Sequence, residues 1–248
     1  MKTIISPAKK MNVDTDTYET MGLPVFLSRT SNLKNYMKSL SFEEAKKLWG
    51  CNDKIAAQNF ERYAQMDLER RLTPAIISYE GIQYQYMSPM VFSENGLSYV
   101  QNNLRILSGF YGILKPFDGV TPYRLEMQAK LSIGGAKDLY EYWGDSLYHE
   151  LLSDGDCLIL NLASKEYSKC IEKYVTPKTQ FVTCIFGEET NGKVIQKGTF
   201  AKMARGEMVR FLAENGIDTL GGVKEFCGLG YSFSEKHSTK NEYVFLKS

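Results

Sequence analysis

The stretch LSGFYGILKPFDGVTPYRLEM, Leu107 to Met127, constrains this chain most, because it forbids long regular elements while carrying large side chains. Gly109, Gly112 and Gly119 give up backbone entropy on ordering, and Pro116 and Pro122 each remove a donor and clash with a preceding helical turn. The expectation is a loop with turns. Ordinary loops carry small solvated residues, whereas this one holds Phe110, Tyr111, Phe117, Tyr123, Arg124 and Glu126. It reads as a packed, shaped loop that either presents a site or serves as an anchored structural crossover.

Around the loop the patterning is that of an α/β chain. Thr3, Ile4 and Ile5 form an apolar pulse of strand type that stops at Ser6-Pro7 and delivers Lys9 and Lys10 just past a strand end. From Asn32 to Gln65 the spacing is helical, with Ser41 and Glu44 placed as a capping box and a break at Gly50-Cys51-Asn52. AIISYEG, Ala75 to Gly81, looks like a second strand, and ENGLSYVQNNLRIL like a helix running into a third. DCLILNLAS is a continuous apolar run of the buried-strand kind, ending in Asn161 and Ser164. The turn signal ETNGK predicts a hairpin, FAKMARGEMVRFLAENG a long helix stopped by Gly216, and the tail a final pair of strands. At 248 residues, without repeats or a linker, residues 1–248 are expected to form one α/β domain, a mixed β-sheet flanked by helices.

Charge and composition remove several classes. Thirty basic against 29 acidic residues give no global drive toward polyanions, so any such site must come from local clustering. Five widely spaced cysteines without a Cys-x-x-Cys pair read as reduced thiols of a cytosolic protein, and two histidines leave no metal-ligand spacing. No apolar run approaches the ~20 residues that cross a bilayer, so no membrane partner is expected. With no nucleotide-binding loop, dinucleotide fingerprint or nucleophile elbow, no cofactor or metal is expected either.

Four polar groups fall at strand ends, adjoining loops or a helix start: Lys9; Tyr123, Arg124 and Glu126; Asn161, Ser164 and Glu166; and Lys202 with Arg205, three apart on one helix face near its N-terminus. Cations, carboxylates and phenols together suit phosphate or carboxylate binding, and also proton transfer by Glu126, Glu166, Tyr111 or a lysine of depressed pKa. Each has a plainer reading. Arg124 and Glu126 can be an internal ion pair, Asn161 and Ser164 helix caps, and Lys202 and Arg205 a solvated face. The turn Trp49-Gly50-Cys51 between two helices is similar to a helix-hairpin-helix module, with Lys54 as its DNA contact, but Gly is also the default helix C-cap.

ISPAKKM, NDKIA, the opening loop, KDLYEYWGD, NLASKEY and FAKMARG, in this order over almost the full length, resemble the YaaA peroxide-stress family. The resemblance implies a bacterial, cytoplasmic protein of the oxidative stress response that limits free iron and peroxide damage, with a family-specific fold, a helix-hairpin-helix element, a positive cleft and DNA binding. It places DNA or anion binding on Lys9, Ser108, Arg124, Asn161, Ser164, Lys202 and Arg205, with Lys54 at the hairpin. Two functions stay open: non-sequence-specific DNA binding through phosphates, or an enzyme on a small phosphate-bearing molecule or damaged nucleic acid. In the second, Glu126 or Glu166 is the general acid/base beside Tyr111 and Tyr123. Both require Lys9, Arg124, Glu126, Asn161, Lys202 and Arg205 to meet in one cleft.

Overall fold

The computed structural model describes residues 1–247. Among these, eight strands form a mixed sheet: β1 (Lys2–Ile5), β2 (Leu104–Ser108), β3 (Gly112–Leu114), β4 (Leu158–Asn161), β5 (Gln180–Thr190), β6 (Lys193–Ile195), β7 (Tyr231–Phe233) and β8 (Glu242–Lys247). The order is β7-β8-β5-β4-β1-β2-β3, with β6 paired to β5 off that path. The five inner strands run parallel, and β3, β6 and β7 are antiparallel to their neighbours. Parallel strands need long crossovers, which cover both faces of the sheet. That is why β1 and β2 are buried at every residue, their polar members Lys2, Thr3, Arg105 and Ser108 included.

The principal helices are α1 (Leu27–Ser39), α2 (Phe42–Trp49), α3 (Asp53–Gln65), α4 (Ile82–Met87), α5 (Glu94–Asn103), α6 (Leu139–Trp143), α7 (Ser146–Leu151), α8 (Lys165–Glu172) and α9 (Gly198–Asn215). The capping box of α2 forms as the spacing predicts: Ser41 Oγ accepts from the Glu44 N–H, and Glu44 Oε2 accepts from the Ser41 N–H at 2.8 Å. Gly50 then closes α2 at φ 55°, and the Asn52 side chain accepts from the Ile55 N–H to open α3. Capping thus accounts for the whole break, and Lys46 with Asp53, 2.5 Å apart, ties the two helices together. The hairpin between β5 and β6 turns through Asn191 and Gly192, both at positive φ, as the Asn-Gly pair requires.

Two expectations need correction. Ala75 to Gly81 is not one strand. Ala75–Ser78 makes a single helical turn, because the Asp118 and Pro116 carbonyls accept the Ala75 and Ile76 N–H groups, and only Tyr79–Glu80 pairs, with Lys10–Met11. A four-residue apolar run fits a buried helix as well as a strand, and tertiary partners decided it. The opening segment is also more regular than a loop. Its first half is a tight hairpin from β2 into β3, with Ser108 opposite Gly112, and Gly119–Val120 pairs with Thr73–Pro74. Its packing is as expected: Phe110, Tyr111 and Phe117 are all buried. Gly109 is required here, since a Cβ would lie 2.5 Å from the Leu125 carbonyl oxygen.

Candidate functional site

β1 leads to β2 on one side of it, whereas β4 leads to β5 on the other. The sheet therefore has a switch point between β1 and β4, and open α/β sheets bind ligands in the crevice beyond the strand C-termini at such points. Ser6, after β1, accepts the Ser164 N–H on its Oγ at 2.8 Å and contacts Ser164 Oγ at 3.2 Å, joining the two loops. Ser164 occupies the N-cap position of α8, but its side chain makes no capping bond.

A cavity of about 420 Å³ opens there. Lys9, Tyr123, Arg124, Glu126, Ser164, Glu166, Lys202 and Arg205 all line it, so four distant parts of the sequence meet on one wall. Asn161 does not join them. It is 3% exposed, donating to Thr183 Oγ1 at 3.2 Å and accepting the Ala163 N–H at 2.9 Å, so it shapes the turn beneath the cavity. Ser108 and Tyr111 likewise stand behind the wall. Ser108 Oγ accepts the Phe110 and Tyr111 N–H groups and bonds to the Tyr123 hydroxyl at 2.6 Å, and the Tyr111 hydroxyl accepts the Thr121 N–H. Lys54 is exposed in the first turn of α3, away from the cavity lining.

Charge in the cavity is divided. Arg124 Nη2 lies 3.0 Å from Glu126 Oε1, and Lys9 Nζ 3.3 Å from the same oxygen, so the internal ion pair foreseen for Arg124 and Glu126 exists inside the site. Burial pushes the Glu166 carboxyl up; the Gln128 N–H, donating at 3.4 Å, opposes this and the Glu126 charge adds to it. The phenols stay protonated. Burial pushes Tyr123 up to about 12, against the lowering effect of its bonds to Ser108 and Tyr79, and pushes Tyr111 higher still.

Lys202 and Arg205 reach the cavity from the flank of α9, not from its N-terminus, which begins at the exposed Gly198. Gly206 allows this. A Cβ there would lie 2.9 Å from the Met87 backbone nitrogen and closer still to the Gln83 carbonyl oxygen, so α9 and α4 touch backbone to backbone. Arg205 is mostly buried, and burial pulls its guanidinium pKa down. Its Nε has no hydrogen-bond partner, and no ion pair joins Arg205 or Lys202 to a carboxylate among the described residues. Tyr167 on α8, in the NLASKEY motif, also lines it, and residues not singled out from the sequence complete the wall, chiefly Glu80, Gln83 and Tyr84 around the start of α4. Their only signal was Gly81 followed by polar and aromatic residues, at the end of a segment read as strand and just past it.

A family model described as peroxide stress protein YaaA matches residues 1–237. The chain belongs to that family. The matched region contains every wall of the cavity, from Ser6 to Arg205. The chain is 59% identical to a "UPF0246 protein" of Agathobacter rectalis over 99% of its own length and 98% of the relative. A second, of Lachnoclostridium phytofermentans, is 58% identical over 100% and 96%, and a third, of Limosilactobacillus reuteri, 56% over 99% and 98%. Family membership carries the peroxide-stress description, and no helix among the described residues is long and apolar enough to cross a membrane.

Proposed function

We propose that this peroxide stress protein binds DNA without reading its sequence, holding phosphates at the switch-point cavity, and that its part in limiting free iron and peroxide damage depends on that binding. Arg205 carries this reading. A mostly buried guanidinium without a carboxylate is costly, and an anion supplied from outside removes the cost. Lys202, exposed on the same helix face, and Lys9, at 68% side-chain exposure, are the rim cations. A wider hollow adjoins through Glu166 and carries Lys130, Lys137 and Lys169 beside Asp138, which adds cations beyond the cavity rim. Lys54 and the α2–α3 hairpin are a second, separate backbone contact in this reading.

Duplex affinity measured at two salt concentrations tests it. Lys202→Ala and Arg205→Ala should each weaken binding alike on unrelated sequences and lower the salt slope by about one, the loss of one phosphate contact. Weak, salt-insensitive binding by the wild type would end the DNA reading.

A second reading, an enzyme on a phosphate-bearing small molecule or damaged nucleic acid, is favoured by Glu166, whose carboxyl is shifted toward neutral pH in the same cavity. In that case Glu166→Gln abolishes turnover while ligand affinity survives.

A further inference from the structure

The cavity floor follows the strand order. Arg205 lies against β5, where its charge acts on the Cys184 thiol. Ser164 follows β4, Ser6 follows β1, and Tyr123 bonds to Ser108, the last residue of β2. These four strands are consecutive neighbours, and three spacings of ~4.8 Å put the two ends about 14 Å apart. A lone phosphate fills one end of such a space. A duplex, wider than its own ~12 Å major groove, can set a backbone phosphate on the cations at one end but cannot fill the rest of it.

The two ends differ in chemistry. Arg205 and Lys202 offer cations with no carboxylate partner among the described residues, whereas at the other end Glu126 and Glu166, close enough to act on each other, set carboxylates beside the Lys9 and Arg124 cations and accept from N–H donors. Glu126 Oε1 has cations at 3.0 and 3.3 Å but no hydrogen bond of good geometry, leaving acceptor capacity there. Between the ends the lining is largely aromatic and apolar, with Tyr84, Tyr167, Tyr123 and Leu125 each buried. Gln83, 7% exposed, also lines the cavity, and its Nε2 has no partner. Sites that hold a single nucleotide out of its stack use this combination: flat apolar walls, a cation for the phosphate and acceptors for the base edge.

We infer that the cavity takes one nucleoside monophosphate unit whose base carries an exocyclic amino group, with its phosphate at Arg205 and Lys202 and its amino edge at Glu126 and Glu166. The inference rests on the phosphate-binding reading and narrows it. The unit comes either as a free mononucleotide or as an unstacked residue of a DNA strand, since both present the same groups.

Calorimetric titration of the full chain with AMP, UMP, adenosine and inorganic phosphate tests it. AMP should bind at least about tenfold tighter than each of the others, because each lacks a group that one end of the cavity recognises. Arg205→Met should erase the preference for AMP over adenosine, and Glu166→Ala should narrow the preference for AMP over UMP, with circular dichroism confirming that both variants fold. A duplex with one unpaired adenosine, if it binds about tenfold better than its fully paired counterpart and is displaced by AMP, identifies the strand as the source. AMP binding without that difference identifies the free nucleotide. Inorganic phosphate or UMP binding as tightly as AMP overturns the inference and leaves phosphate binding intact. If all four compounds fail to bind, the inference falls, and salt-insensitive duplex binding would then remove the phosphate reading as well.

Discussion

Asp118, 7% exposed in the opening segment, accepts the Lys115 N–H on Oδ2 at 2.8 Å, yet burial pushes its carboxyl up to about 6, outweighing that bond and the Lys115 and Arg105 charges. The sign follows from linkage. Below the unfolded carboxyl range both states bind the proton. As pH rises toward 6 the unfolded chain releases it first, so stability falls, and the loss is complete above the folded value. Two units at ~1.4 kcal/mol each give a loss on the order of 2–3 kcal/mol between pH 4 and pH 7. Asp118→Asn keeps an acceptor for Lys115 and removes the titration. Denaturation of the two proteins should coincide near pH 4, with the variant more stable by roughly that amount at pH 7. Phe117, 2% exposed and packed edge-on against Tyr18, tests the rigidity of the same segment. Phe117→Ala should lower unfolding stability by about 3–5 kcal/mol, the cost of an aromatic-sized cavity in a core that cannot collapse.

At the scale of elements, the crossing of α9 on α4 decides whether Lys202 and Arg205 reach the site. Ala is a better helix former than Gly by about 1 kcal/mol, so propensity alone predicts that Gly206→Ala stabilises α9. The contact predicts the reverse. The new Cβ meets backbone atoms of Gln83 and Met87, which cannot rotate away, so the helices must separate. Chemical denaturation should show a loss of roughly 1–3 kcal/mol, typical of overpacking, and duplex binding should fall with it because the two cations move. The long helix, its Gly216 stop, the Asn-Gly hairpin and the capping box could all be read from spacing, since each rests on a local rule. Ala75 to Gly81 could not, because its conformation is set by Asp118 and Pro116, some 40 residues away. The same limit applies to the site. Asn161, Ser108 and Tyr111 carry the same functional groups as the lining residues and fall in the same motifs, yet they support the wall from behind. Only the pairing of β4 with β5 and the hairpin from β2 into β3 separate the two sets.

For the whole molecule, the decisive fact is that the cavity draws on residues 6–10, 80–84, 123–126, 164–167 and 202–205, which meet only once the parallel core is in register. No segment carries a partial site of its own, so the ligand binds the folded chain and not the unfolded one. Mass action then fixes the consequence: a ligand at one hundred times its dissociation constant stabilises the fold by about 2.7 kcal/mol. We expect a short DNA duplex at that excess to raise the thermal midpoint, the rise to shrink as salt weakens binding, and Arg205→Met to cancel it at the concentration that saturates the wild type. Binding and tertiary structure should also be lost together in denaturant, because the walls belong to one cooperative unit. A midpoint unmoved by saturating duplex, or duplex binding that persists beyond the unfolding transition, would place the DNA contact outside the cavity, on a locally folded element such as the α2–α3 hairpin.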